Sequence, residues 1–349
     1  MVTTIRLFAQ QLAEPRFDSP EDVVGWMGAV QAQDVSMSKW AVGMRTKNPS
    51  LRAVEKALAA GTVLRLHILR PTWHYVLPEN VRWMLQLTGP RIKKAWMGYG
   101  KTAGLGLNEE ACASANKLLE KTLRGKAMSA EEIAAAFGRA GFAYDTHRVR
   151  YLLGCAEADG LLCGGPEKGN KNTYALLAER APQAKDLPRE EALARLARLY
   201  FQSHSPASLA DFTWWSGLSQ SEAKAAVRLI KEELTEETFG GRAMWVHDTC
   251  ARTADASGSV QLLPSFDEYL ISYKDRTDCL DLKHHPRAFN RFGTFYPVIV
   301  SGGRAVGNWK KITGAKTVRV ETDFFIRKHG ADKKRLREAE ERYLRFLLG

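Results

Sequence analysis

Two glutamines separated by one small residue, Gln31-Ala32-Gln33, lie near the N-terminus, directly after the apolar run 23–30. A glutamine oxygen can accept a hydrogen bond from a water molecule and orient it without carrying a formal charge. Side chains at positions i and i+2 do not share a helix face, but they lie on one side of an extended segment. If both amides serve one site, the preceding helix must end at or near Gln31. The alternative is a solvated helix end, where glutamine is an ordinary residue.

The residues before this pair predict the helix that presents it. Ser19 is a suitable N-cap, Pro20 fits the first helical position, and Glu21 and Asp22 place negative charge in the first turn. We therefore predict a helix over 20–31.

The elements around that helix suggest a winged helix. Further helices are predicted over 4–13, 39–45 and 51–60, followed by two β-rich runs over 62–69 and 72–77. Pro78 starts another predicted helix, which continues to about Leu87. Helices that lead into a β-ribbon make a winged helix the natural interpretation of this first unit.

The same order of elements recurs twice. The second copy has predicted helices over 108–123, 129–139 and 144–159, and ribbon strands over 161–163 and 173–176. The third copy has a predicted helix over 190–202, a helix-turn-helix segment over 205–233, and short strands over 238–239 and 243–246. Three units of similar size count as an internal repeat, although their sequence identity is low.

After Asp248 the chain changes to short strand-like runs over 260–264, 296–300, 305–310 and 317–321, with a hairpin turn at 301–304 and a last helix over 331–347. We interpret this region as a small β-barrel or curled sheet closed by that helix. The predicted fold class is α+β, with three tandem winged-helix (helix-turn-helix) units plus a small C-terminal β-barrel. The predicted domains are 1–104 (winged helix 1, with the glutamine pair), 105–187 (winged helix 2), 188–248 (winged helix 3) and 249–349 (barrel with its closing helix).

The composition indicates a globular protein with a polyanionic partner. The chain has 349 residues, of which 45% are hydrophobic and 26% charged, and its net charge is +12 with a pI near 9.5. This charge favours nucleic acid as the partner, although it could serve solubility alone. We find no membrane-span pattern or signal-peptide pattern, and the five cysteines form no close pair, which fits a reducing cytosol.

Several kinds of catalytic centre are not indicated by the sequence. The eight histidines show no metal-ligand spacing, apart from the adjacent His284-His285, which fit a solvent-facing loop better than a metal site. A phosphate-cradling glycine loop and a Gly-x-Ser-x-Gly nucleophile turn are both missing from the sequence. We therefore expect no metal and no cofactor, and neither a nucleotide hydrolase nor an esterase.

Basic side chains on the predicted recognition helix, wing and barrel are candidate phosphate contacts. These candidates are Arg148, Arg150, Lys168, Lys171, Lys310 and Lys311. Each one alone fits a solvated surface charge. Together, on a helix-turn-helix scaffold, they favour contact with double-stranded DNA.

The segment 263–276 is dense in aromatic and acidic residues for a loop that leads into a helix. One interpretation is a plug that closes the domain with internal ion pairs. The other is a contribution to the site, with Asp267 or Tyr269 facing the binding channel.

Five stretches together resemble the AlkZ/YcaQ family of tandem winged-helix DNA glycosylases. They span nearly the whole chain in order and are Val30–Asp34, Leu69–His74 with Pro78–Trp83, Ala210–Leu218, Leu263–Tyr269 and Val306–Lys310. The resemblance implies three winged helices and a C-terminal barrel around a basic channel. It also implies excision of N7-alkylated guanine, with unhooking of interstrand crosslinks in some members.

The resemblance carries a catalytic assignment to the two glutamines. The family's catalytic element is Gln-apolar-Gln in the AlkZ-like branch and Gln-apolar-Asp in the YcaQ-like branch, and Gln31-Ala32-Gln33 matches the first form. We expect Gln33 to position the nucleophilic water while Gln31 fixes its geometry and the sugar. Thr72 and His74 would then line the channel as lesion or phosphate contacts, or His74 is a buried histidine satisfied by the backbone.

The chemistry is consistent with two neutral amides. N7-alkylguanine is already a cationic leaving group, so a strong general acid is unnecessary, and what remains is to place a water molecule and stabilise an oxocarbenium-like sugar. The matched catalytic motif has no lysine that could form a Schiff base. We therefore expect a monofunctional glycosylase.

Two other classes of function compete with this interpretation. A winged-helix transcriptional regulator would bind DNA without catalysis, but such proteins usually present paired recognition helices in a dimer. A non-catalytic lesion-binding or architectural module is the third possibility. Three units and a barrel in one chain suit a monomer that wraps a duplex, so we expect a cytoplasmic, nucleoid-associated monomer with double-stranded DNA as its partner and no membrane association.

Overall fold

Helices alternate with short antiparallel strands in the computed structural model, which describes residues 1–142, 144–252, 255–314, 317–327 and 330–349. The α-helices are α1 (Val2–Ala9), α2 (Pro20–Met27), α3 (Val35–Gly43), α4 (Leu51–Ala60), α5 (Pro78–Thr102), α6 (Glu109–Leu123), α7 (Ala130–Arg139), α8 (Thr146–Ala158), α9 (Leu177–Arg180), α10 (Arg189–His204), α11 (Leu209–Ser216), α12 (Gln220–Leu229), α13 (Glu268–Ile271), α14 (His285–Ala288) and α15 (Lys333–Leu348). The strands are β1 (Val30–Gln31), β2 (Leu64–His67), β3 (Trp73–Val76), β4 (Leu162–Lys168), β5 (Lys171–Leu176), β6 (Leu234–Phe239), β7 (Arg242–His247), β8 (Val260–Leu263), β9 (Val298–Ser301), β10 (Arg304–Thr313) and β11 (Val318–Phe324).

Three antiparallel hairpins follow helices, in the order that the repeat predicts. Strand β2 pairs with β3, β4 with β5, and β6 with β7. The mixed helix and sheet content of an α+β fold is therefore confirmed, and the assignment of these units as winged helices stays a prediction.

The predicted C-terminal β-barrel is wrong for the part of the chain that the structure describes. Strands β8, β9, β10 and β11 form one antiparallel sheet in the order β11-β10-β9-β8, which leaves β8 and β11 as separate edges. Helix α15 packs against β8 and β11. The helix therefore covers the sheet, as predicted, but the sheet is open because its first and last strands do not pair.

The helix before the glutamine pair is shorter than predicted. Ser19 caps α2 by accepting a hydrogen bond from the Asp22 backbone N–H, as its sequence suggests, but the helix ends at Met27. Gly28 follows with φ 75°, and a Cβ atom there would lie 2.9 Å from the Leu199 Cβ. Glycine stops the helix because it alone adopts this backbone conformation at no steric cost while another helix packs closely against it.

The chain folds into two compact units that are interleaved along the sequence. Unit 1 contains Met1–Glu55, Leu193–Trp215 and Ser219–Gly349, and unit 2 contains Lys56–Ala192 and Ser216–Leu218. The bounds of the four predicted domains stay predictions. None of the helices in the described ranges combines the length and the apolar character that crossing a bilayer requires.

Unit 1 holds the glutamine pair, and its interior is unusually rich in large polar and aromatic side chains. Its largest fully buried members are Arg6, Trp40, Arg45, Tyr200, Phe201, Phe212, Trp215, Tyr269 and Tyr273. Two of these are arginines. Buried guanidinium groups require hydrogen-bond acceptors around them, and this requirement organises the site described below.

Unit 2 is built around α5 and α8, which pack against each other. Its main core cluster is formed by apolar side chains of α6, α7, α8 and the β4–β5 hairpin, including Leu119, Ile133, Phe137 and Leu152. Helix α5 continues through Pro90 to Thr102, beyond its predicted end near Leu87. Packing along α8 compensates for the backbone hydrogen bond that proline cannot donate.

Candidate active site

The two glutamines lie in the extended connection between α2 and α3. Gln31 ends strand β1, and Gln33 lies two residues before the start of α3. Asp34 caps α3, because its carboxylate accepts the backbone N–H of Met37 at 3.1 Å. The helix was expected to end at or near Gln31, and it ends four residues earlier, at Met27, so both side chains belong to non-helical backbone.

The two side chains differ in their access to solvent. Gln31 is 3% exposed, whereas Gln33 is exposed. The pair therefore combines one amide held in the interior with one that can reach a molecule in solvent. Two glutamines on one concave channel face would have favoured an enzyme, and two on one convex solvated face a regulator; with one buried and one exposed, the pair shows neither arrangement.

A buried carboxylate lies directly behind Gln31. The backbone N–H of Gln31 donates to Glu268 Oε1 at 2.6 Å, and Glu268 is 0% exposed. Glu268 Oε2 accepts from Trp215 Nε1 at 3.2 Å and from the hydroxyl of Ser272. A charged acceptor with several donors is a strong and directional anchor, so the backbone at Gln31 is fixed from the interior.

His204 completes this buried cluster. Its Nε2 lies 3.5 Å from Glu268 Oε2, and its Nδ1 lies 2.8 Å from Ser203 Oγ. Burial lowers the pKa of His204, against the opposing effect of Glu268. The imidazole is therefore neutral near pH 7.

The neighbouring acid, Asp267, faces a different partner. Arg45 binds its carboxylate through two hydrogen bonds of 2.8 and 2.9 Å, and the side chains are 0% and 1% exposed. The remaining three N–H groups of Arg45 donate to Gln10 O, to Gln10 Oε1 and to Ala41 O. All five guanidinium donors are used, which is the condition under which a buried arginine is tolerated.

Further hydrogen bonds bring the C-terminal sheet to the glutamine segment. Trp40 Nε1 donates to Leu262 O at 2.8 Å, and Trp309 Nε1 donates to Leu263 O at 2.7 Å. Ser265 Oγ donates to Asp34 Oδ2 at 3.2 Å. Four of the stretches that carried the family resemblance, those that contain Gln31, Trp215, Glu268 and Trp309, therefore converge in unit 1.

Asp267 and Tyr269 lie in the interior. Asp267 is 2% exposed and Tyr269 is 0% exposed, and the Tyr269 hydroxyl donates to Gly303 O at 2.9 Å. This placement agrees with the plug interpretation of the segment, in which internal ion pairs and hydrogen bonds close the unit. A role in contacting a channel does not fit side chains that are buried and paired in this way.

Thr72 and His74 belong to unit 2. His74 is 0% exposed, and its Nδ1 lies 2.9 Å from the carbonyl oxygen of Thr72. The structure therefore agrees with the alternative left open above, a buried histidine that is bonded to the backbone. Contact of either residue with a lesion stays a prediction.

The candidate DNA-binding residues form two groups. In unit 2, Arg148 and Arg150 lie in the first turns of α8, and Lys168 and Lys171 face each other across the β4–β5 turn. Lys310 and Lys311 lie on β10 in unit 1. All except the half-buried Arg148 are exposed.

Acidic neighbours partly neutralise these cations. Arg150 pairs with Glu131 at 3.3 Å, Lys168 with Glu132 at 3.1 Å and Lys310 with Glu321 at 2.6 Å, and all of these side chains are more than 40% exposed. Exposed pairs of this kind are weak, so the cations remain able to exchange a carboxylate for a phosphate.

Sequence reasoning missed Glu268. It considered the residues on either side, Asp267 and Tyr269, but not the acid that contacts Gln31. The local signal was the pair of acidic residues Asp267-Glu268 among apolar neighbours, and the partner of Glu268 is 237 residues away in the chain. Within the described ranges, no group of three or more His, Cys, Asp and Glu side chains is arranged to hold a metal ion.

The arrangement and the fold together identify the class of protein. A family model described as "DNA glycosylase AlkZ-like" matches residues 24–346, which include the glutamine pair and all the segments that surround it. The chain therefore belongs to the AlkZ-like DNA glycosylase family, whose members are enzymes that act on DNA.

Particular relatives agree with this assignment. The chain is 28% identical over 321 residues to the "Interstrand DNA cross-link repair glycosylase" of Streptomyces sahachiroi, with 86% of this chain and 85% of that protein covered. It also resembles the solved structure of Streptomyces sahachiroi DNA glycosylase AlkZ, with a TM-score of 0.80 and 23% identity over 99% of this chain and 95% of that one. The structural likeness shows that the fold is shared over nearly the whole length.

Proposed function

We propose that this protein hydrolyses the N-glycosidic bond of N7-alkylated guanine in double-stranded DNA, and that Gln31 and Gln33 form its catalytic element. The observation that carries the proposal is the family match over residues 24–346, together with the convergence of the motif-bearing segments behind Gln31. A non-catalytic regulator has no comparable support.

The reaction needs positioning more than acid–base strength. The N7-alkylated base carries a positive charge, so it leaves as a neutral molecule when the bond between C1′ and N9 breaks. A water oxygen then bonds to C1′, and the water gives up one proton to solvent. Holding that water and the sugar in a reactive geometry can contribute several kcal/mol, up to about 7–11 kcal/mol in ideal cases.

The different burial of the two glutamines suggests a division of roles. Gln33 is exposed and offers an amide oxygen to a water molecule at the surface. Gln31 is 3% exposed, and its backbone is held by Glu268, so it provides the fixed reference for the geometry of the water and the sugar. The motif contains no lysine, so the reaction stops at the abasic site and the enzyme is monofunctional.

We also propose that interstrand crosslinks through N7-alkylated guanine are substrates. The support is the relative from Streptomyces sahachiroi, which is named for crosslink repair and aligns over 86% of this chain. Each half of such a crosslink is itself an N7-alkylated guanine with the same cationic leaving group. Unhooking therefore needs no chemistry beyond that of the single lesion.

The test is single-turnover excision of 7-methylguanine from a defined duplex by the wild-type protein, Gln31→Ala and Gln33→Ala. We expect each variant to lose about 100-fold or more in rate, since misplacing a reacting group by about 1 Å can have an effect of this size. Duplex affinity should change little, because neither side chain carries a charge that binds phosphate.

Gln220→Ala is the matched control, because Gln220 is an exposed glutamine of unit 1 at the start of α12. It should excise at the wild-type rate. Near wild-type rates in both Gln31→Ala and Gln33→Ala would overturn the catalytic assignment. A wild-type protein that binds the duplex but never releases base would overturn the enzyme assignment itself.

A further inference from the structure

A loop in unit 1 presents an aromatic side chain to solvent in a way that the proposed chemistry does not explain. Phe292 is 79% exposed, and only Met1 and Leu348, at the chain ends, match this value among the large hydrophobic residues that the structure describes. An exposed phenylalanine gains nothing for folding, because its transfer out of water is the main favourable term that it could contribute. Single exposed apolar side chains are common, so the surroundings of Phe292 decide whether it serves a partner.

The loop that carries Phe292 is held in one conformation by its own hydrogen bonds. Asn290 Oδ1 accepts the backbone N–H of Phe292 at 2.9 Å and that of Thr294 at 3.1 Å. The backbone N–H groups of Asn290 and Gly293 donate to Thr294 O and Asn290 O at 3.0 and 3.1 Å. Gly293 has φ 79°, which lets the chain reverse directly after Phe292.

The base of the loop is anchored by stacked aromatic rings. Phe289 and Phe295 form an isolated β-bridge, and their ring centroids are 5.0 Å apart. The guanidinium group of Arg276 lies over both rings, at 5.3 and 5.1 Å. The tip of the loop, with Phe292, is therefore exposed to solvent, while the residues at the base of the loop are packed against one another.

The base of the loop packs against the segment that contains Glu268, the residue bonded to Gln31. The ring of Phe295 lies 6.3 Å from that of Phe266, and Phe266 precedes Glu268 by two residues, or at most about 7 Å of extended chain. Phe266 has φ 57°, a conformation that non-glycine residues adopt only when the surrounding structure holds them there. The segment from Phe266 to Glu268 therefore contacts both the base of the loop and the backbone of Gln31.

The charge of the loop fits a polyanion. Residues 282–296 contain Lys283, Arg287 and Arg291 and no Asp or Glu. Arg287 pairs with Asp323, which lies outside this segment, whereas the guanidinium group of Arg291 lies 4.8 Å from the ring of Phe292. An aromatic side chain beside arginine is the combination with which proteins stack on nucleobases and hold the adjacent phosphates.

The geometry suits DNA better than a second protein surface. A stable protein interface buries about 800 Å² on each partner, which requires a broad patch, whereas this loop offers one protruding ring on a narrow tip. A narrow apolar tip can enter between base pairs, where both faces of the ring find π surfaces.

We propose that Phe292 is a wedge residue that stacks into the base pairs of the duplex beside the lesion, with Arg291 binding a phosphate next to it. The inference rests on the proposed function, because it assigns duplex DNA to a loop whose base packs against the segment that contains Glu268. It adds a substrate contact that unstacks the DNA next to the bond to be broken.

The experiment uses a duplex with 2-aminopurine next to a 7-methylguanine, since the fluorescence of 2-aminopurine rises when it loses its stacking partner. Wild-type protein and Phe292→Trp should raise the signal on binding, and Phe292→Ala should not. We expect Phe292→Ala to lose about 5- to 150-fold in duplex affinity, the range expected for one base-stacking aromatic residue. Arg291→Ala should make the slope of log affinity against log salt shallower by about 0.9.

Leu282→Ala is the matched control, because Leu282 is 68% exposed in the same segment but is not at the loop tip. It should behave as wild type in every assay. Thermal melting should show all four variants folded, since the substituted side chains are at the surface. Phe292→Ala that binds and reports like wild type would overturn the wedge, and a change in self-association alone would assign Phe292 to a contact between copies.

The readout is independent of catalysis. Unstacking is measured on binding, so it can be repeated in Gln33→Ala, which should unstack the duplex as wild type does. If the glutamine variants excise normally while Phe292→Ala loses the fluorescence signal, the active-site proposal fails and the wedge stands. If the glutamine variants lose excision while Phe292→Ala unstacks normally, the wedge fails and the active site stands.

Discussion

The substitution Glu268→Gln tests whether the buried carboxylate positions the proposed catalytic segment around Gln31. In the wild type, Oε1 accepts the backbone N–H of Gln31 at 2.6 Å, while Oε2 accepts Trp215 Nε1 at 3.2 Å and the hydroxyl of Ser272. An amide has nearly the same shape but only one acceptor oxygen. Gln31 N–H and Trp215 Nε1–H are donors only, so the substitution leaves one of them facing an NH₂ group.

The expected change in the free energy of unfolding follows from the one donor that is left without an acceptor. One buried donor without an acceptor costs about 1–3 kcal/mol, and we expect the free energy of unfolding to fall by that amount. If the amide nitrogen takes the place of Oε1, the bond from the Gln31 backbone N–H is lost as well. Displacement of Gln31 by a fraction of an ångström up to about 1 Å should slow excision about 10- to 100-fold.

The assay is single-turnover excision of 7-methylguanine at saturating protein, with duplex affinity measured separately. A positioning role predicts a lower rate at saturation with affinity within about 3-fold of wild type, because the buried carboxylate touches no DNA. Glu268→Asp keeps a carboxyl group but shortens the side chain by one methylene group. We expect its excision rate to lie between those of the wild type and Glu268→Gln.

Trp215→Phe is the control that separates positioning from general destabilisation. It removes a donor to Oε2, and it opens space in the core because Trp215 is 0% exposed, yet it leaves the bond from Gln31 to Oε1 intact. We expect a loss of stability comparable to that of Glu268→Gln, with excision within about 3-fold of wild type. Equal slowing by the two variants, or no slowing by Glu268→Gln, would refute the positioning role.

Two further predictions concern stability. Burial lowers the pKa of His204, so the unfolded chain takes up a proton near its ordinary value of about 6.5 before the folded protein does, and stability falls as the pH drops through that value. Denaturant unfolding between about pH 7 and pH 5 should therefore show a shallower fall in the free energy of unfolding for His204→Asn than for wild type. Burial also lowers the pKa of His247, but this contribution is the same in both proteins. Parallel curves for the two proteins would contradict the argument. Gly28→Ala should destabilise the protein by more than about 1 kcal/mol, because φ is 75° and the new Cβ would lie 2.9 Å from Leu199. Gly138→Ala, which has open space around it in α7, should stabilise the protein by about 0.5–1 kcal/mol in the same denaturation experiments. Equal effects of the two substitutions would show the backbone argument to be wrong.

The sequence by itself determined the local features of this protein. Ser19 and Pro20 predicted the start of α2, because a helix N-terminus is encoded by a few adjacent residues whose side chains bond the first free N–H groups. The order of helices and hairpins could be predicted in the same way. The glutamine pair was recognised as a motif, although the predicted helix over 20–31 wrongly included Gln31.

Only the tertiary structure decided which side each residue faces. Asp267 and Glu268 are adjacent, and nothing local distinguishes them, yet one binds Arg45 and the other binds Gln31. Each choice depends on a partner more than 200 residues away, 222 residues for Arg45 and 237 for Gln31. A four-residue helix such as α13 has no periodicity from which those directions could be predicted.

Tertiary contacts also determined that the C-terminal sheet stays open and that α2 ends at Met27. Strands β8 and β11 could be predicted as strands from their β-branched residues, but whether they pair is a property of the whole sheet, and they remain separate edges of an open one. Helix α2 ends at Met27, before the glutamines, because Gly28 packs against Leu199. Local chemistry specifies helices and their caps, whereas contacts between distant segments specify the geometry that a catalytic motif requires.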